Sequence, residues 1–238
     1  MSEWFSGLAA DFKQTFIDAN RWQALLNSLG VTLKITALAL VVGVVLGVLV
    51  AVIRSSHDQM ASQHKSNTLM NILNEVCKIY LTVIRGTPAM VQLLIMYFVI
   101  MVNTNDTTIV AMLTFGINSG AYVAEIIRGG IMSIDKGQME AGRSLGLGYV
   151  ATMWHIIIPQ AIKNILPALG NEFITLLKET SIVNVIGLKD ITKWALNVQG
   201  RTYQAFMPFI GIAAVYLVLV MIFTKLVSML ERKLNNDD

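Results

Sequence analysis

Long apolar runs alternate with short polar segments along the chain. Residues 29–53 are nearly all apolar, and further apolar runs cover 79–102, 109–127 and 206–230, while a more polar run begins near Gln160. A helix needs about 20 residues to cross the hydrocarbon core of a membrane, so each run is long enough to span it. The pattern predicts an all-α membrane protein with about five transmembrane helices.

The composition agrees with this class of protein. Hydrophobic residues make up 55% of the 238 residues and charged residues only 14%, whereas ordinary soluble domains are about a quarter charged. Cys77 is the single cysteine, which excludes a disulfide framework, and His57 and His64 lack partners at metal-binding spacing. We interpret the net charge of +3 as basic residues in the loops that face anionic lipid headgroups. We expect no metal, no nucleic-acid partner and no cleaved signal peptide.

The chain divides into three predicted parts. Residues 1–26 carry apolar side chains at three- and four-residue steps, which predicts an amphipathic helix that either lies at the membrane interface or packs against the bundle. Residues 27–232 form the transmembrane domain, in which the polar stretch 54–71 is typical of a helical connector. Residues 233–238 form a polar C-terminal tail.

Two patterns inside the apolar runs indicate special packing. Gly43 and Gly47 are four residues apart, a spacing that lets a second helix approach closely. In the second run, Gly86 and Pro88 interrupt the helix and free backbone groups, which is tolerated only where the backbone is buried in protein or lines a cavity. We therefore expect Arg85, beside this break, to face protein or water.

The most polar and glycine-rich stretch between the apolar runs begins at residue 137. Residues 138–145 are predicted to form a short helix in which Glu140 and Arg143 pair at i,i+3. Gly146 and Gly148 then permit a sharp turn, since glycine adopts backbone angles that other residues avoid.

A second short amphipathic segment follows this turn. It runs from Tyr149 to Ile158, and we expect Pro159 to stop it. Residues 137–159 would then make a compact knob on one membrane face, a shape that suits docking into the groove of a partner. The alternative interpretation is an ordinary loop whose glycines serve as turns.

The fourth run carries ionisable residues that are costly inside a membrane. Glu172, Thr175 and Glu179 fall on one helical stripe, and Lys178 lies beside it. Such residues indicate a transport pathway or binding site by default, and the opposite charges suit a zwitterionic ligand. The alternative is an internal ion pair that stabilises helix packing.

Two further features are predicted to be structural. Glu125 and Arg128 are three residues apart at the end of the third run and are expected to pair. Residues 184–204 contain Lys189, Asp190, Lys193, Trp194 and Arg201. Gly187 and Gly200 are expected to break this stretch, which predicts a short interfacial helix between spans.

Basic residues in the loops predict the orientation, because cytosolic loops are enriched in Lys and Arg. If the chain crosses the membrane about five times, one face has the smaller number of basic residues: Lys13, Arg21, Lys189, Lys193 and Arg201. The richer side receives Arg54, Lys65, Lys78, Arg128, Lys136, Arg143, Arg232 and Lys233. We therefore expect the N-terminus outside and the knob in the cytosol, between spans three and four.

Three motifs follow one another along the chain: RGTPAMVQL at 85–93, AYVAEIIRGGI at 121–131, and Glu140-Ala141-Gly142 followed by Gly146 and Ile156-x-Ile158-Pro159. Together they resemble the permease subunits of ATP-binding-cassette importers, in particular those for polar amino acids such as histidine, glutamine and arginine. The resemblance covers roughly residues 25–232. Position 142 is Gly where the family usually has Ala.

The resemblance implies roles for individual residues. In that family the loop is the coupling helix that sits on the ATPase, which implies coupling roles for Glu140, Ala141, Gly142, Arg143, Gly146 and Pro159. It implies substrate contacts near the middle of the pathway, and the residues we expect there are Lys178, Glu179, Thr180, Ser181, Arg85, Thr87, Gln92, Ser119 and Glu172. The stretch 184–204 would form part of an outer gate.

The resemblance also implies partners. About five spans do not enclose a whole path, so a second copy or a homologue is expected, with two ATPase subunits and an extracellular solute-binding protein in a bacterial cell membrane. The chain contains no Gly-Lys dipeptide and so no phosphate-binding GxxxxGK[ST] loop. ATP and Mg would therefore bind the partner ATPase, and no enzyme activity or cofactor is expected in this chain.

Two other functions stay open from the sequence. An ion-coupled transporter or channel would use Glu172 and Glu179 as cation or proton sites, and a membrane scaffold would transport nothing. ATP dependence separates the importer from both. The identity of the amino acid, and whether the partner permease is a second copy, do not follow from the sequence.

Overall fold

The structure is a computed structural model that describes the backbone of residues 2–62, 64 and 67–235, and the side chains of residues 7–61, 64 and 67–234. The helices are α1 (Ser2–Phe12), α2 (Arg21–Ser62), α3 (Thr68–Gly86), α4 (Ala89–Ile95), α5 (Thr107–Met132), α6 (Lys136–Ser144), α7 (Tyr149–Thr152), α8 (Ile158–Glu179), α9 (Ile191–Thr202) and α10 (Phe206–Asn235). Short π-helical and 3₁₀ segments add Lys13–Ile17, Asp18–Asn20, Met96–Ile100, Met153–Ile157 and Thr180–Ile186. The described part of the chain contains no β-strand, which confirms the all-α prediction.

The centre of the bundle is the seam between α2 and α5. A Cβ added to Gly47 would lie 2.5 Å from Val123 Cγ1, and one added to Gly43 would lie 3.0 Å from Ser119 Cβ. On α5, Gly116 faces Val42 in the same way, and Gly120 faces Leu46. The predicted close approach at Gly43 and Gly47 is therefore confirmed, and it is reciprocal because both helices contribute a pair of glycines four residues apart.

The predicted interruption of the second apolar run is confirmed. Helix α3 ends at Gly86, α4 begins at Ala89 with Pro88 as its N-cap residue, and the two helices are bent by 108°. Thr87 has an extended backbone with ψ 145°, as expected for a residue that precedes proline.

Several helices have the length and composition needed to cross a membrane. Within the described residues these are Gly7–Ala61, which contains α2, together with Thr107–Met132 and Phe206–Leu234, and the bent pair α3–α4 adds a fourth. Helix α8 is not in this set, because its charged and amide side chains lower its hydropathy. The count of about five spans and the orientation stay predictions, and Lys65, which contributed to the charge count, lies outside the described residues.

The N-terminal segment packs against the end of the bundle. Phe16 stacks on Trp194 with ring centroids 5.6 Å apart, and the Trp194 indole N–H donates to the Arg21 carbonyl oxygen at 2.9 Å. Gln204 Nε2 donates to Asp11 Oδ1 at 2.7 Å. The sequence left two interpretations of this segment open. The contacts of residues 11–21 support the second one, in which the segment packs against the bundle.

Two predictions about helix breaks are wrong. Pro159 does not stop a helix, because the α7 backbone continues through the π-helical segment Met153–Ile157 into α8, where Pro159 lies in the first turn. The π-helical turn before it, in which Ile158 N donates to the Met153 carbonyl oxygen, carries the backbone past the proline. Gly200 lies within α9, whereas Gly187, with φ +89°, does provide the predicted break.

Candidate transport site and coupling surface

A polar contact joins α5 to α8 beside the seam between α5 and α2, since the Ser119 side chain also lies against Gly43. Ser119 Oγ donates a hydrogen bond of 2.7 Å to Glu172 Oε1. Ser119 is fully buried and Glu172 is partly buried. Two of the predicted substrate residues are therefore brought together between separate helices, with the carboxylate already holding one hydroxyl donor.

A second polar group lies at the α3–α4 break. Gln92 Nε2 lies within hydrogen-bond distance of the Ile84 carbonyl oxygen (2.8 Å), the Thr87 carbonyl oxygen (3.0 Å) and Thr87 Oγ1 (2.8 Å). Gln92 Oε1 accepts from Asn118 Nδ2 at 2.9 Å. Gln92 thus satisfies carbonyl groups that the broken helix leaves free, and the Thr87 hydroxyl donates to the Val83 carbonyl oxygen at 2.8 Å. The sequence did not reveal these structural roles.

Asn118 and Ser119 connect these two groups, since they are neighbours on α5. Asn118 is bonded to Gln92 of α4, and Ser119 is bonded to Glu172 of α8. A polar path therefore crosses the bundle from the α3–α4 break to α8, over the turn of α5 that packs against Gly43. The family resemblance implied a substrate role for Ser119, but the sequence did not reveal the partners of either residue.

The predicted turn from Lys178 to Ser181 divides into buried and exposed positions. Thr180 is fully buried, and its hydroxyl lies 3.2 Å from the Thr36 hydroxyl of α2. Lys178 is exposed, Glu179 and Ser181 are partly buried, and the Ser181 carbonyl oxygen accepts from Asn184 Nδ2 at 2.7 Å. Thr180 therefore anchors the turn, while Lys178 projects outward.

Arg85 lies in a different cluster. Its guanidinium is 3.9 Å from Glu125 Oε2 and sits 5.6 Å from the centroid of the Tyr122 ring, with the Arg85 side chain 47% exposed. Glu125 also accepts from Arg54 at 2.9 Å. Arg85 thus has protein partners, as predicted, but these partners are Glu125 and Tyr122 and not the predicted substrate residues Glu172 or Lys178.

The predicted pair of Glu125 with Arg128 is wrong. Glu125 is held by Arg54 and Arg85, and Arg128 instead pairs with Asp58 of α2 at 3.0 Å. Both ion pairs therefore reach from α5 to α2. The i,i+3 spacing made the local pair plausible, but the close α2–α5 seam brings the α2 charges nearer.

The knob, residues 137–159, is a helix, a turn and a second helix, as predicted. At the end of α6, Gly146 N donates to the Arg143 carbonyl oxygen at 3.0 Å and Leu147 N donates to the Gly142 carbonyl oxygen at 3.1 Å. This is a Schellman motif, which requires a left-handed residue, and Gly146 has φ +80°. Gly148 has φ −69° and needs no special freedom.

The two helices of the knob pack closely where Gly142 of α6 meets Thr152 of α7. Gly142 is buried, and a Cβ there would lie 2.6 Å from Thr152 Cγ2, because the Thr152 side chain fills that space. Glu140, Ala141 and Arg143 are exposed, and Leu145 is 81% exposed. The predicted Glu140–Arg143 pair is not among the ion pairs of the described residues. Both charges are thus available on the outer face.

Apolar helices, a polar path between them and an exposed helical knob define a membrane-embedded transport subunit. The sequence profile described as "Binding-protein-dependent transport system inner membrane component" matches residues 60–236. The chain belongs to this family, whose members are permease subunits.

Curated relatives agree with the family. The chain is 39% identical over 217 residues to the arginine transport system permease protein ArtQ of Bacillus subtilis (strain 168), covering 90% of this chain and 94% of the relative. It is 35% identical over 214 residues to the glutamine transport system permease protein GlnP of Escherichia coli (strain K12), covering 88% and 92%.

Solved structures agree as well. A chain described as "Crystal structure of an amino acid ABC transporter with histidines" superposes with a TM-score of 0.80 at 45% identity, covering 89% of this chain and 94% of that one. A chain of the MetNI methionine transporter, in an inward-facing conformation, superposes with a TM-score of 0.71 at 18% identity, which supports the fold alone. It covers 92% of this chain and 99% of that one.

Proposed function

We propose that this chain is the permease subunit of an ATP-driven importer of polar amino acids in a bacterial cell membrane. The observation that carries the proposal is its 45% identity, over most of its length, to a chain of an amino-acid ATP-binding-cassette transporter. The family description names a binding-protein-dependent system. The partners are accordingly ATPase subunits that bind ATP and Mg, a second permease copy or homologue, and an external solute-binding protein.

The continuous helical backbone from the knob to the transport site supplies a mechanical link. Helical residues run without a break from Tyr149 to Glu179, through the π-helical segment at Met153–Ile157. At 1.5 Å per residue, Tyr149 and Glu172 are separated by about 35 Å of helix. A displacement of the knob by a closing ATPase is therefore transmitted along one element to Glu172, which biases the two states of an alternating-access cycle.

The outer face of the knob has the properties of a docking surface. Glu140 and Arg143 offer one charge of each sign, and Leu145 is an exposed apolar side chain beside them. The remaining predicted coupling residues shape the knob: Gly142 and Gly146 through packing and turn geometry, and Pro159 through the first turn of α8.

The polar amino acid would bind near Ser119, Glu172, Glu179 and the Thr180 turn. Two carboxylates on α8, against the exposed Lys178, suit a ligand that carries both an ammonium and a carboxylate group. The relatives are named for arginine and for glutamine, and two acidic groups favour the cationic side chain. Thr87 and Gln92 would act indirectly, by holding the α3–α4 break open at this level.

ATP hydrolysis tests the proposal. The chain is co-purified in lipid with the ATPase expressed from the same transport system, and substrate-stimulated hydrolysis is compared between wild type and Glu140→Lys. Reversal of a charge at the docking surface is expected to lower stimulated hydrolysis about tenfold or more. The matched control is Glu75→Lys on α3, which is also exposed and lies far from the knob in sequence.

Two results would contradict the proposal. One is that no ATPase associates with the chain. The other is that Glu140→Lys and Glu75→Lys behave alike while both variants remain folded. Uptake that persists without ATP and follows a sodium or proton gradient would instead favour ion-coupled transport through Glu172 and Glu179.

A further inference from the structure

An apolar groove runs along the outside of the bundle, between α2, the end of α5, the knob and α8. It encloses a cavity of about 520 Å³. Its lining is almost entirely aliphatic and aromatic, and representative residues are Val44, Val48, Ile127, Val150, Trp154 and Leu169. Val150 and Trp154 on its rim are 78% and 68% exposed, so the groove opens outward.

The length of the groove matches one leaflet of a membrane. On α2 it extends from Val44 to Ser56, which at 1.5 Å per residue is about 18 Å. Half of a 30 Å hydrocarbon core is about 15 Å.

One end of the groove continues into a polar pocket of about 230 Å³. Ser55, Ile131 and Tyr149 line both cavities, and Asp58 and Arg128 line the polar one. Burial raises the pKa of the Tyr149 phenol above its usual range, so this hydroxyl stays protonated and able to donate at neutral pH.

The charged residues that line this pocket, Arg128 and Asp58, form an ion pair with each other. Arg128 Nη2 lies 3.0 Å from Asp58 Oδ2, while Arg128 Nη1 has no hydrogen-bond partner among the described residues. The nearby Arg54 is already held by Glu125. The Arg128 guanidinium at this pocket thus keeps one buried nitrogen without a partner, while its side chain is 27% exposed and the Asp58 side chain is 52% exposed.

We propose that this groove binds a zwitterionic phospholipid with a primary ammonium headgroup, phosphatidylethanolamine. One acyl chain lies along the apolar groove beside Val48. The phosphate accepts hydrogen bonds from Arg128 and the Tyr149 hydroxyl, and the ammonium group lies against Asp58. An anionic headgroup without an ammonium would bring a second negative charge beside the Asp58 carboxylate and offer it no cation, which favours the zwitterion. The lipid would contact the knob through Val150 and Trp154, at the base of the helix that leads to Glu172.

Native mass spectrometry of the full-length chain, with the subunits that co-purify, tests this site. The protein is incubated with equal amounts of phosphatidylethanolamine and phosphatidylglycerol that carry identical acyl chains, and the lipids retained per chain are counted. We expect phosphatidylethanolamine to be retained about tenfold over phosphatidylglycerol, since one charge-assisted contact distinguishes them. Arg128→Gln should lose this retention, and Asp58→Asn should lose the preference.

A matched pair of substitutions separates the groove from the general lipid boundary. Val48→Trp fills the groove and should abolish retention of both lipids. Val218→Trp places the same side chain at a 54% exposed position on α10 and should change nothing. Leu166→Trp, on the α8 wall of the groove, repeats the test if Val48→Trp fails to fold.

Three outcomes would overturn the proposal. Equal retention of the two lipids by wild type would show a non-selective boundary, and preference for phosphatidylglycerol would show an anion site. The third outcome is disulfide crosslinking between two copies of the Val150→Cys variant, made in a Cys77→Ala background. It would show that a second copy, and not lipid, occupies the groove. The lipid measurement does not depend on ATP hydrolysis, so its failure is distinct from failure of the importer assignment.

Discussion

Helix α5 packs against two neighbours by different means. Toward α2, reciprocal pairs of small residues bring the backbones together, with Gly47 facing Val123 and Gly116 facing Val42. Toward α8, the central contact is the hydrogen bond from Ser119 to Glu172. The glycine contacts toward α2 depend on shape, whereas the contact toward α8 contains a donor and a carboxylate that a polar ligand can also bind. Ser119 takes part in both, because its side chain also lies against Gly43 of α2, so a ligand that displaces the Ser119 hydroxyl would also disturb the close seam.

The largest expected effect comes from filling the glycine seam. Gly47→Leu would place side-chain atoms where Val123 Cγ1 and the Ala124 backbone N already lie, 2.5 and 2.9 Å from an added Cβ. Because a backbone atom cannot move aside, we expect a loss of about 3 kcal/mol or more in the free energy of unfolding. The measurement is the melting temperature and yield of the purified chain.

Gly30 on the same helix provides the control, because a Cβ there meets nothing within 4 Å. Gly30→Ala should be neutral or stabilising by up to about 1 kcal/mol, whereas Gly47→Ala should be destabilising. Equal effects of the two alanine variants would show that the seam is less tightly packed than the structure indicates.

The next effect is on transport and not on folding. Glu172→Gln keeps an acceptor for the Ser119 hydroxyl but removes the negative charge, so we expect normal melting and about tenfold lower uptake of arginine. Uptake of glutamine should fall less, since its side chain carries no charge. Initial rates in proteoliposomes that contain the assembled transporter measure both substrates.

Thr175→Ala is the matched control for Glu172→Gln, because Thr175 lies on the same helix but is exposed. It should leave both rates within twofold of wild type, an effect of under about 0.4 kcal/mol. A lower melting temperature of Glu172→Gln, with unchanged uptake by the protein that remains folded, would contradict this prediction. It would show that Glu172, like Gly47, stabilises the fold and does not bind substrate.

A smaller effect is expected where charges join α5 to α2. Glu125→Gln leaves Arg54 and Arg85 without their shared carboxylate. Since Glu125 is 39% exposed, water offsets part of the loss, and we expect destabilisation of about 1–2 kcal/mol. Glu75→Gln removes a more exposed pair with Lys78 and should cost under about 0.5 kcal/mol. Thermal melting compares the two, and equal shifts would contradict a stabilising role for the α2–α5 pairs.

The smallest effect concerns an exposed cap at the start of α5. Asp106 accepts from the Thr108 backbone N–H at 2.8 Å, and this hydrogen bond lowers the pKa of Asp106. Because the folded pKa is lowered, the cap stabilises the protein above the unfolded value of about 3.9 and its contribution is lost as the pH falls further. Melting between about pH 6 and pH 3 should show a slightly steeper fall for wild type than for Asp106→Asn. Identical slopes would contradict this.

Features governed by nearby residues were predictable from the sequence, and those governed by distant ones were not. The interruption at Pro88, the close approach at Gly43 and Gly47, and the turn at Gly146 follow from the backbone chemistry of these residues. The partners of Glu125 could not be predicted in this way, because Arg54 is 71 residues away in sequence. The role of Gln92 was missed for a similar reason, since its acceptors exist only once the helix has bent.

Pro159 illustrates a different limit. A proline is expected to end a helix, but its effect depends on whether the backbone group it lacks would have been bonded. The preceding π-helical turn, in which Ile158 N donates to the Met153 carbonyl oxygen, carries the helix past this position. The sequence contains no clear signal for that turn, so the continuity between knob and transport site became visible only in the structure.

The contact between Gly142 and Thr152 constrains how this protein can evolve. The family resemblance leads us to expect alanine at position 142, and an alanine there would bring its methyl group to 2.6 Å from Thr152 Cγ2. Thr152 is buried, and its hydroxyl donates to the Gly148 carbonyl oxygen at 3.1 Å, which holds the side chain in place. The two positions are therefore expected to change together, with a smaller residue at 152 arising before alanine is accepted at 142. In the opposite order, the lineage would pass through an intermediate with a distorted knob.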